Sequence, residues 1–199
     1  MEITILMGGG WETTTHALAW TLGLLPQNPQ AQQRLYDEVD GLGGAVPTFD
    51  DLDRLRWAKA CVEEGQRMRG FPHLLLRLAT VDDTVGGYRI RRGNLVAISP
   101  YSIQRDLRWW GPDADSYDPI RFYDKDIIAA RPNLAFIPFG AGPHRCIGAA
   151  MGYMSAQFLL AQLHQRFRIQ TPPDWDPALP FTVKSGVPAV LTKVPAAAN

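Results

Sequence analysis

Cys146 lies in the run Phe139-Gly140-Ala141-Gly142-Pro143-His144-Arg145-Cys146-Ile147-Gly148, and a helical pattern follows that run without a break to about Phe167. A cysteine at the start of a helix meets the positive end of the helix dipole and free N–H groups, which favour thiolate over thiol. Cys146 is therefore a candidate ligand or nucleophile. Gly140, Gly142 and Pro143 point to a turn with positive φ and a fixed shape, letting backbone pass close to a flat partner. Three roles are open to Cys146. It can be an ordinary buried cysteine, since free Cys is among the most buried residue types. It can be a hydrolase nucleophile with His144, His164, His16 or His73 as base. It can also be the thiolate ligand of a haem. A structural zinc site fits poorly, because Cys61 and Cys146 are the only cysteines and no C-x-x-C spacing occurs.

Other chemistry-bearing residues precede this loop. Glu12 and Thr13 follow Gly8-Gly9-Gly10 inside an apolar helical pattern over residues 2–25, in which three glycines cost about 2–3 kcal/mol relative to alanine. The glycines are expected to interrupt that helix, which resumes with Ala17, Leu18, Trp20, Thr21 and Leu24 on one face. Glu64 and Arg67 lie three apart on a helical stripe over residues 57–68 that places Cys61 in a core. Arg77 lies in an apolar, strand-like run over residues 74–80.

The elements that position these residues are punctuated plainly. Asn28-Pro29 caps a helix running to about Asp40, where Gly41-Leu42-Gly43-Gly44 stops it. Thr48-x-x-Asp51 reads as a capping box for a short helix through Leu55. Turns at Asp82-Asp83 and Gly86-Gly87 separate short strands at residues 88–90 and 95–98, and residues 99–105 read as a short helix. Residues 123–138 look long and irregular, and short strands are expected at 168–170, 181–183 and 189–192. The 199 residues are 46% hydrophobic and 20% charged, enough for one globular domain. Twenty basic and twenty acidic side chains cancel, which leaves no electrostatic footprint for nucleic acid or anionic lipid. No run of about eighteen apolar residues spans a membrane. Few, distant cysteines and no basic leader fit a reducing, cytoplasmic setting.

The pattern Phe-Gly-x-Gly-x-His-x-Cys-x-Gly at residues 139–148 resembles the cysteine-ligand loop of the cytochrome P450 family, of the soluble bacterial type. The resemblance implies that Cys146 is the axial ligand of the iron of haem b, that His144 meets a haem propionate, that Phe139 packs near the sulfur, and that Gly140 belongs to the cofactor-binding loop. Gly9-Gly10-Trp11-Glu12-Thr13-Thr14 is similar to the family's distal helix. There Gly9 and Gly10 let the backbone approach the haem, while Glu12 (acid) and Thr13 (alcohol) organise water for proton delivery. Glu64-x-x-Arg67 and Asp118-Pro119-Ile120-Arg121-Phe122 resemble two more family segments, so Glu64, Arg67 and Arg121 form a structural network with no catalytic part. Arg77 stands where a strand arginine meets the other propionate. Gly65, Gln104 and Leu107 depart from the family pattern, which has a better helix former, histidine and proline at those places.

The resemblance implies a mainly α fold with small β-sheets (α+β), the C-terminal half of the P450 fold. Residues 1–199 would be one partial domain beginning inside the distal helix. It implies a monooxygenase that uses O2 on a small organic substrate lined from this half by Met7, Gly10, residues 71–75 and residues 184–187. No Rossmann fingerprint or iron–sulfur cysteine set is present, so electrons are expected from a separate ferredoxin or flavoprotein. The alternative expectation is a haem-binding fragment, or half of a split protein, that does not turn over by itself.

Overall fold

Helix α1 (Glu2–Leu24) runs unbroken through Gly8, Gly9 and Gly10, where the sequence leads one to expect an interruption. Packing explains the difference. Ala17, Leu18, Trp20, Thr21 and Leu24 are buried, and the helix lies against α3 (Arg56–Arg69) and α8 (Ala149–Arg166), so tertiary burial outweighs the propensity cost of the glycines. The computed structural model describes residues 2–172, 174–176 and 186–194, with side chains from residue 7 onward.

Helix α2 (Pro29–Asp40) begins as its sequence indicates: the Asn28 side-chain oxygen accepts from Ala31 N–H at 3.0 Å, and Pro29 opens the first turn. Glu38 on α2 then caps α3, accepting from the backbone N–H groups of Trp57 and Ala58 at 2.7 and 2.8 Å. Burial pushes the Glu38 carboxyl up, opposed by these two N–H groups. Between the helices, Thr48 N–H donates to Asp51 at 3.0 Å, and the expected short helix is a 3-10 turn, Phe49–Arg54. Leu35, Val39, Leu55, Ala58, Leu160 and Ala161 form the centre of the core, and Cys61 is fully buried within it.

Strand β1 (Leu75–Leu78) pairs antiparallel with β4 (Leu95–Ile98), Leu75 opposite Ile98 and Leu78 opposite Leu95. β2 (Asp83–Val85) and β3 (Tyr88–Ile90) form a hairpin turning at Gly86 and Gly87, whose φ values are 58° and 85°. Asp83, expected in a turn, therefore belongs to a strand. α4 (Pro100–Ile103) fills the expected helix, and α5 (Leu107–Trp110) and α6 (Ile120–Tyr123) follow it. The stretch 123–138 is less irregular than its sequence suggests. It holds α7 (Lys125–Ala130), capped by the Asp124 side chain, which accepts from Asp126 and Ile127 N–H at 2.9 and 3.1 Å. β5 (Phe167–Gln170) pairs antiparallel with β6 (Val190–Lys193). The strand expected at 181–183 lies outside the described residues. The fold is mixed α+β, with helices and, among the described residues, three small antiparallel sheets. Among the described residues no helix is long and apolar enough to cross a membrane.

Candidate functional site

The cysteine loop is held by its own backbone. Gly140 N–H donates to Ile137 O at 3.0 Å, Cys146 N–H to Phe139 O at 2.9 Å, and Arg145 N–H to Gly142 O at 3.1 Å. Gly140 and Gly142 adopt φ values of 71° and 72°, so the turn needs glycine at both places. Cys146 is exposed and precedes α8 rather than standing in its first turn, because Ile147 and Gly148 make a turn before the helix begins at Ala149. A Cβ added to Gly148 would lie 3.8 Å from Cys146 Sγ, which puts the sulfur beside the helix entrance.

Cys146 opens into a cleft of about 310 Å³. Phe139, Gly140 and His144 of the loop line it with Cys146, and Gly9 and Thr13 of α1 face them. Thr13 Oγ1 donates to Gly9 O at 2.7 Å and Thr14 Oγ1 to Gly10 O at 3.2 Å, so both hydroxyls bond back along the helix. Phe71, Pro72 and Leu75 also border the cleft. Across the floor, Gly152 of α8 brings the helix within about one methyl group of its neighbours. A Cβ there would lie 3.8 Å from the Phe139 ring and 4.0 Å from Thr14 Oγ1. Tyr153 meets Phe139 edge-on at 5.0 Å.

Not every residue singled out in the sequence reaches this cleft. Glu12 is exposed and is not among the lining residues, and neither is Gly10. Arg77 bonds through Nη1 to Leu76 O at 2.9 Å, while Leu75 on the same strand lines the cleft. Met7 is exposed outside it, and residues 184 and 185 lie outside the described residues. Of the four histidines, only His144 lines the cleft with Cys146, and no hydrogen bond joins the two among the described residues. His164 is buried in the core with Nδ1 2.8 Å from Leu160 O, and His16 accepts from Trp20 Nε1 at 3.1 Å. A cysteine–histidine dyad is thus not assembled. Cys61 is fully buried, and desolvation pushes its thiol well above the ordinary range.

Glu64, Arg67 and Arg121 meet in a buried network. Arg67 Nε and Nη2 donate to the two Glu64 oxygens at 2.6 and 2.8 Å, and Arg121 Nε lies 3.6 Å from Glu64 Oε1. Arg67 also donates to the backbone carbonyls of Gln104 at 2.9 Å and Ala114 at 2.7 Å, and Asp118 N–H donates to Glu64 at 2.9 Å. Burial pushes the Glu64 carboxyl up and the Arg67 guanidinium opposes it. Two members escaped the sequence reading. Asp113 accepts from Arg121 Nη2 at 2.5 Å, and buried Gln104 donates to Gln66 O and Arg67 O at 3.1 and 3.2 Å while accepting from Ile137 N–H at 3.1 Å. Gln104 therefore ties the network to the segment that leads into the cysteine loop. Its place was visible in the sequence only as a departure from histidine. Gly65 has a packing reason too: a Cβ there would come within 2.4 Å of Thr21 Oγ1 on α1.

A helical chain with small antiparallel sheets, presenting one thiol to a cleft under a glycine-bearing helix, has the build of a haem-thiolate protein. The sequence profile of the cytochrome P450 family, described as "Cytochrome P450", matches residues 1–195. "Putative cytochrome P450 132" of Mycobacterium tuberculosis is 38% identical over 183 residues, covering 92% of this chain and 39% of the relative. "Carotene epsilon-monooxygenase, chloroplastic" of Arabidopsis thaliana is 36% identical over 87% of this chain and 33% of that relative. The solved haem domain of cytochrome P450DA superposes with a TM-score of 0.87 at 28% identity, over 97% of this chain and 44% of that one. The chain belongs to the cytochrome P450 family, and it spans between a third and two fifths of these relatives' length.

The family implies haem, and the residues present fit it. Among the described residues no group of three or more His, Cys, Asp or Glu side chains could hold a bare ion, so a metal at the lone Cys146 thiol must bring its other donors with it, as in a macrocycle. On the facing helix, Gly9 lines the cleft and a Cβ there would meet nothing within 4 Å, leaving bare backbone open to a flat group.

Proposed function

We propose that this chain carries the cysteine-ligand and proton-delivery parts of a haem-thiolate monooxygenase, which inserts one atom of O2 into a small organic substrate. The observation that carries this reading is the meeting, in one cleft, of Gly9 and Thr13 with Phe139, Gly140, His144 and Cys146. Haem b, when bound, supplies the centre that binds and reduces O2. Cys146 is its protein ligand, presented to the cleft by a loop in which Cys146 N–H already donates to Phe139 O. His144, in the cleft, and Arg77, on the strand beside it, are the hydrogen-bond donors for the cofactor's carboxylates. Arg77 must first exchange its contact with Leu76 O.

The Thr13 hydroxyl donates its hydrogen bond to Gly9 O, so its oxygen still has lone pairs to accept from water in the cleft. Glu12, exposed one residue earlier, is the proton source from solvent. The Glu64–Arg67–Arg121 network takes no chemical part and holds the approach to the cysteine loop. Electrons come from a separate ferredoxin or flavoprotein, and the setting is cytoplasmic, where reducing conditions keep the Cys146 thiol free.

A second reading rests on exposed apolar side chains. Trp11 on α1 is 63% exposed, and Leu76 and Leu78 on β1 and Leu95 on β4 are also open to solvent. In this reading the 199 residues, one partial domain, take up haem but need a further polypeptide, such as the other part of a split protein, for turnover. The test is to titrate the cofactor-free chain with haem, measure haem retained through gel filtration, and assay substrate oxidation with an electron donor. Stoichiometric retention with turnover supports the enzyme reading, retention without turnover supports the second, and no retention overturns both.

A further inference from the structure

Glu63 and Glu64 are neighbours on α3 but serve different partners, since successive helical residues point about 100° apart. Glu64 turns to Arg67 and Arg121, whereas the Glu63 carboxylate accepts a hydrogen bond from the Tyr153 hydroxyl on α8. The Glu63 side chain is only 15% exposed, and Lys59, one turn earlier, stands 3.7 Å from it. A lysine four residues before a glutamate is the weaker order of such a pair, so this contact contributes little against the cost of burying a carboxylate. Burial pushes the Glu63 carboxyl up, opposed first by Lys59 and then by the Tyr153 hydroxyl. Burial and then the Glu63 charge push the Tyr153 phenol up, so its hydroxyl keeps its proton and is the donor.

Tyr153 in turn touches the cysteine loop. Its ring meets Phe139 edge-on at 5.0 Å, and Gly152 flanks the same Phe139 ring, so that a Cβ there would lie 3.8 Å from it. Phe139 O is the acceptor of Cys146 N–H at 2.9 Å. Pro138, Phe139, Gly140 and Tyr153 line both the Cys146 cleft and an outer groove of about 450 Å³ that Lys59 and Glu63 border. These four residues are the partition between the two spaces, and the Glu63–Tyr153 bond ties that partition to α3. We propose that Glu63 is a positioning residue for Cys146: through Tyr153 it fixes the Phe139 ring, and the Phe139 carbonyl then holds the Cys146 N–H and keeps the thiol at the cleft. Aromatic packing alone leaves the Tyr153 ring free to slide against Phe139, whereas a directional bond from its hydroxyl to a charged acceptor removes that freedom. What Cys146 binds rests on the haem-thiolate reading above, and the placement of its N–H does not.

The test is amide hydrogen exchange of the cofactor-free full chain, followed by NMR, with Cys146 N–H as reporter and the core amide of Leu35 on α2 as control. Tyr153→Phe keeps the ring and removes the hydroxyl, Glu63→Leu removes the acceptor, and Glu63→Gln keeps an acceptor oxygen. The first two should speed exchange at Cys146 by about tenfold, the order set by one hydrogen bond to a charged group, and leave Leu35 unchanged. Glu63→Gln should keep the parent's protection. Tyr153→Phe and Glu63→Leu together should loosen Cys146 no further than either alone, and Tyr153→Phe, which loses a single oxygen, keeps the test valid if Glu63→Leu fails to fold. In the haem-loaded, reduced chain under carbon monoxide, the same two substitutions should remove part of the red-shifted thiolate-type band, and Glu63→Gln should not. Unchanged exchange at Cys146 in both Tyr153→Phe and Glu63→Leu overturns the proposal. An equal acceleration at Leu35 also overturns it, since that marks a general loss of stability. A parent chain that lacks the thiolate-type band, while Cys146 exchange still depends on Glu63 and Tyr153, overturns the haem-thiolate reading and supports the positioning role.

Discussion

Gly65→Ala tests the packing that places the distal helix. In isolation the change should stabilise, since alanine is about 1 kcal/mol better than glycine inside a helix. The contact with α1 reverses that expectation. The new Cβ would stand 2.4 Å from Thr21 Oγ1 and 3.3 Å from Thr21 Cα and Cβ. Thr21 is fully buried, and its hydroxyl donates to Ala17 O at 2.8 Å. Turning the side chain away forfeits that bond, about 1 kcal/mol, and the added carbon overpacks the crossing by about 1–3 kcal/mol. The net expectation is a loss of about 1–3 kcal/mol, read as a lower urea midpoint by circular dichroism. Thr21→Ala in the same chain removes the clashing hydroxyl and should recover at least half of the loss. Because α1 carries Gly9 and Thr13 while α3 carries Val62 and Gln66 at the same cleft, pushing the helices apart should also weaken haem uptake. A Gly65→Ala chain more stable than the parent would refute the described α1–α3 contact.

Arg67→Met leaves the Glu64 carboxylate buried without its bidentate partner and should cost about 3–5 kcal/mol, measured by the same unfolding assay. His164 sets a pH dependence. Burial holds its imidazole at about 4, below the ordinary 6.5, and Nε2 has no partner to receive an added proton's N–H. Its folded value is the lower one, so the contribution is complete above about pH 6.5 and is lost as pH falls toward 4, on the order of 3 kcal/mol. His164→Gln should flatten that part of the urea midpoint's pH profile. Thr13→Ala should leave haem uptake intact but divert reducing equivalents to hydrogen peroxide, and tight coupling of electron use to product in that variant would remove the role given to Thr13.

The cysteine loop could be read from sequence because its chemistry is contiguous: two glycines at positive φ, a proline and the thiol fall within a few residues. The Asn28 cap and the Thr48–Asp51 pair were legible for the same reason, as their partners lie three residues apart. What escaped depends on distant neighbours. Helix α1 survives its glycines through burial against α3 and α8, and Gly65 looks like a poor helix choice until Thr21 is seen against it. Gln104 reaches Arg67 across 37 residues and Asp113 reaches Arg121 across 8, beyond any helical or strand period. Side-chain direction was illegible too. Glu12 and Arg77 sit at the resembling positions, yet neither lines the cleft that their neighbours Thr13 and Leu75 do.

The most direct test of the account is the carbon monoxide spectrum of the haem-loaded, reduced chain, compared between Cys146→Ser and Cys61→Ser. The exposed Cys146 thiol at the cleft is the assigned ligand, whereas the Cys61 thiol is fully buried in the core. The account predicts that the parent and Cys61→Ser chains show the red-shifted Soret band of thiolate-bound haem and that Cys146→Ser loses it, because a neutral hydroxyl is a poor donor to iron. A thiolate-type band that persists in Cys146→Ser, or disappears in a folded Cys61→Ser chain, would contradict the assignment.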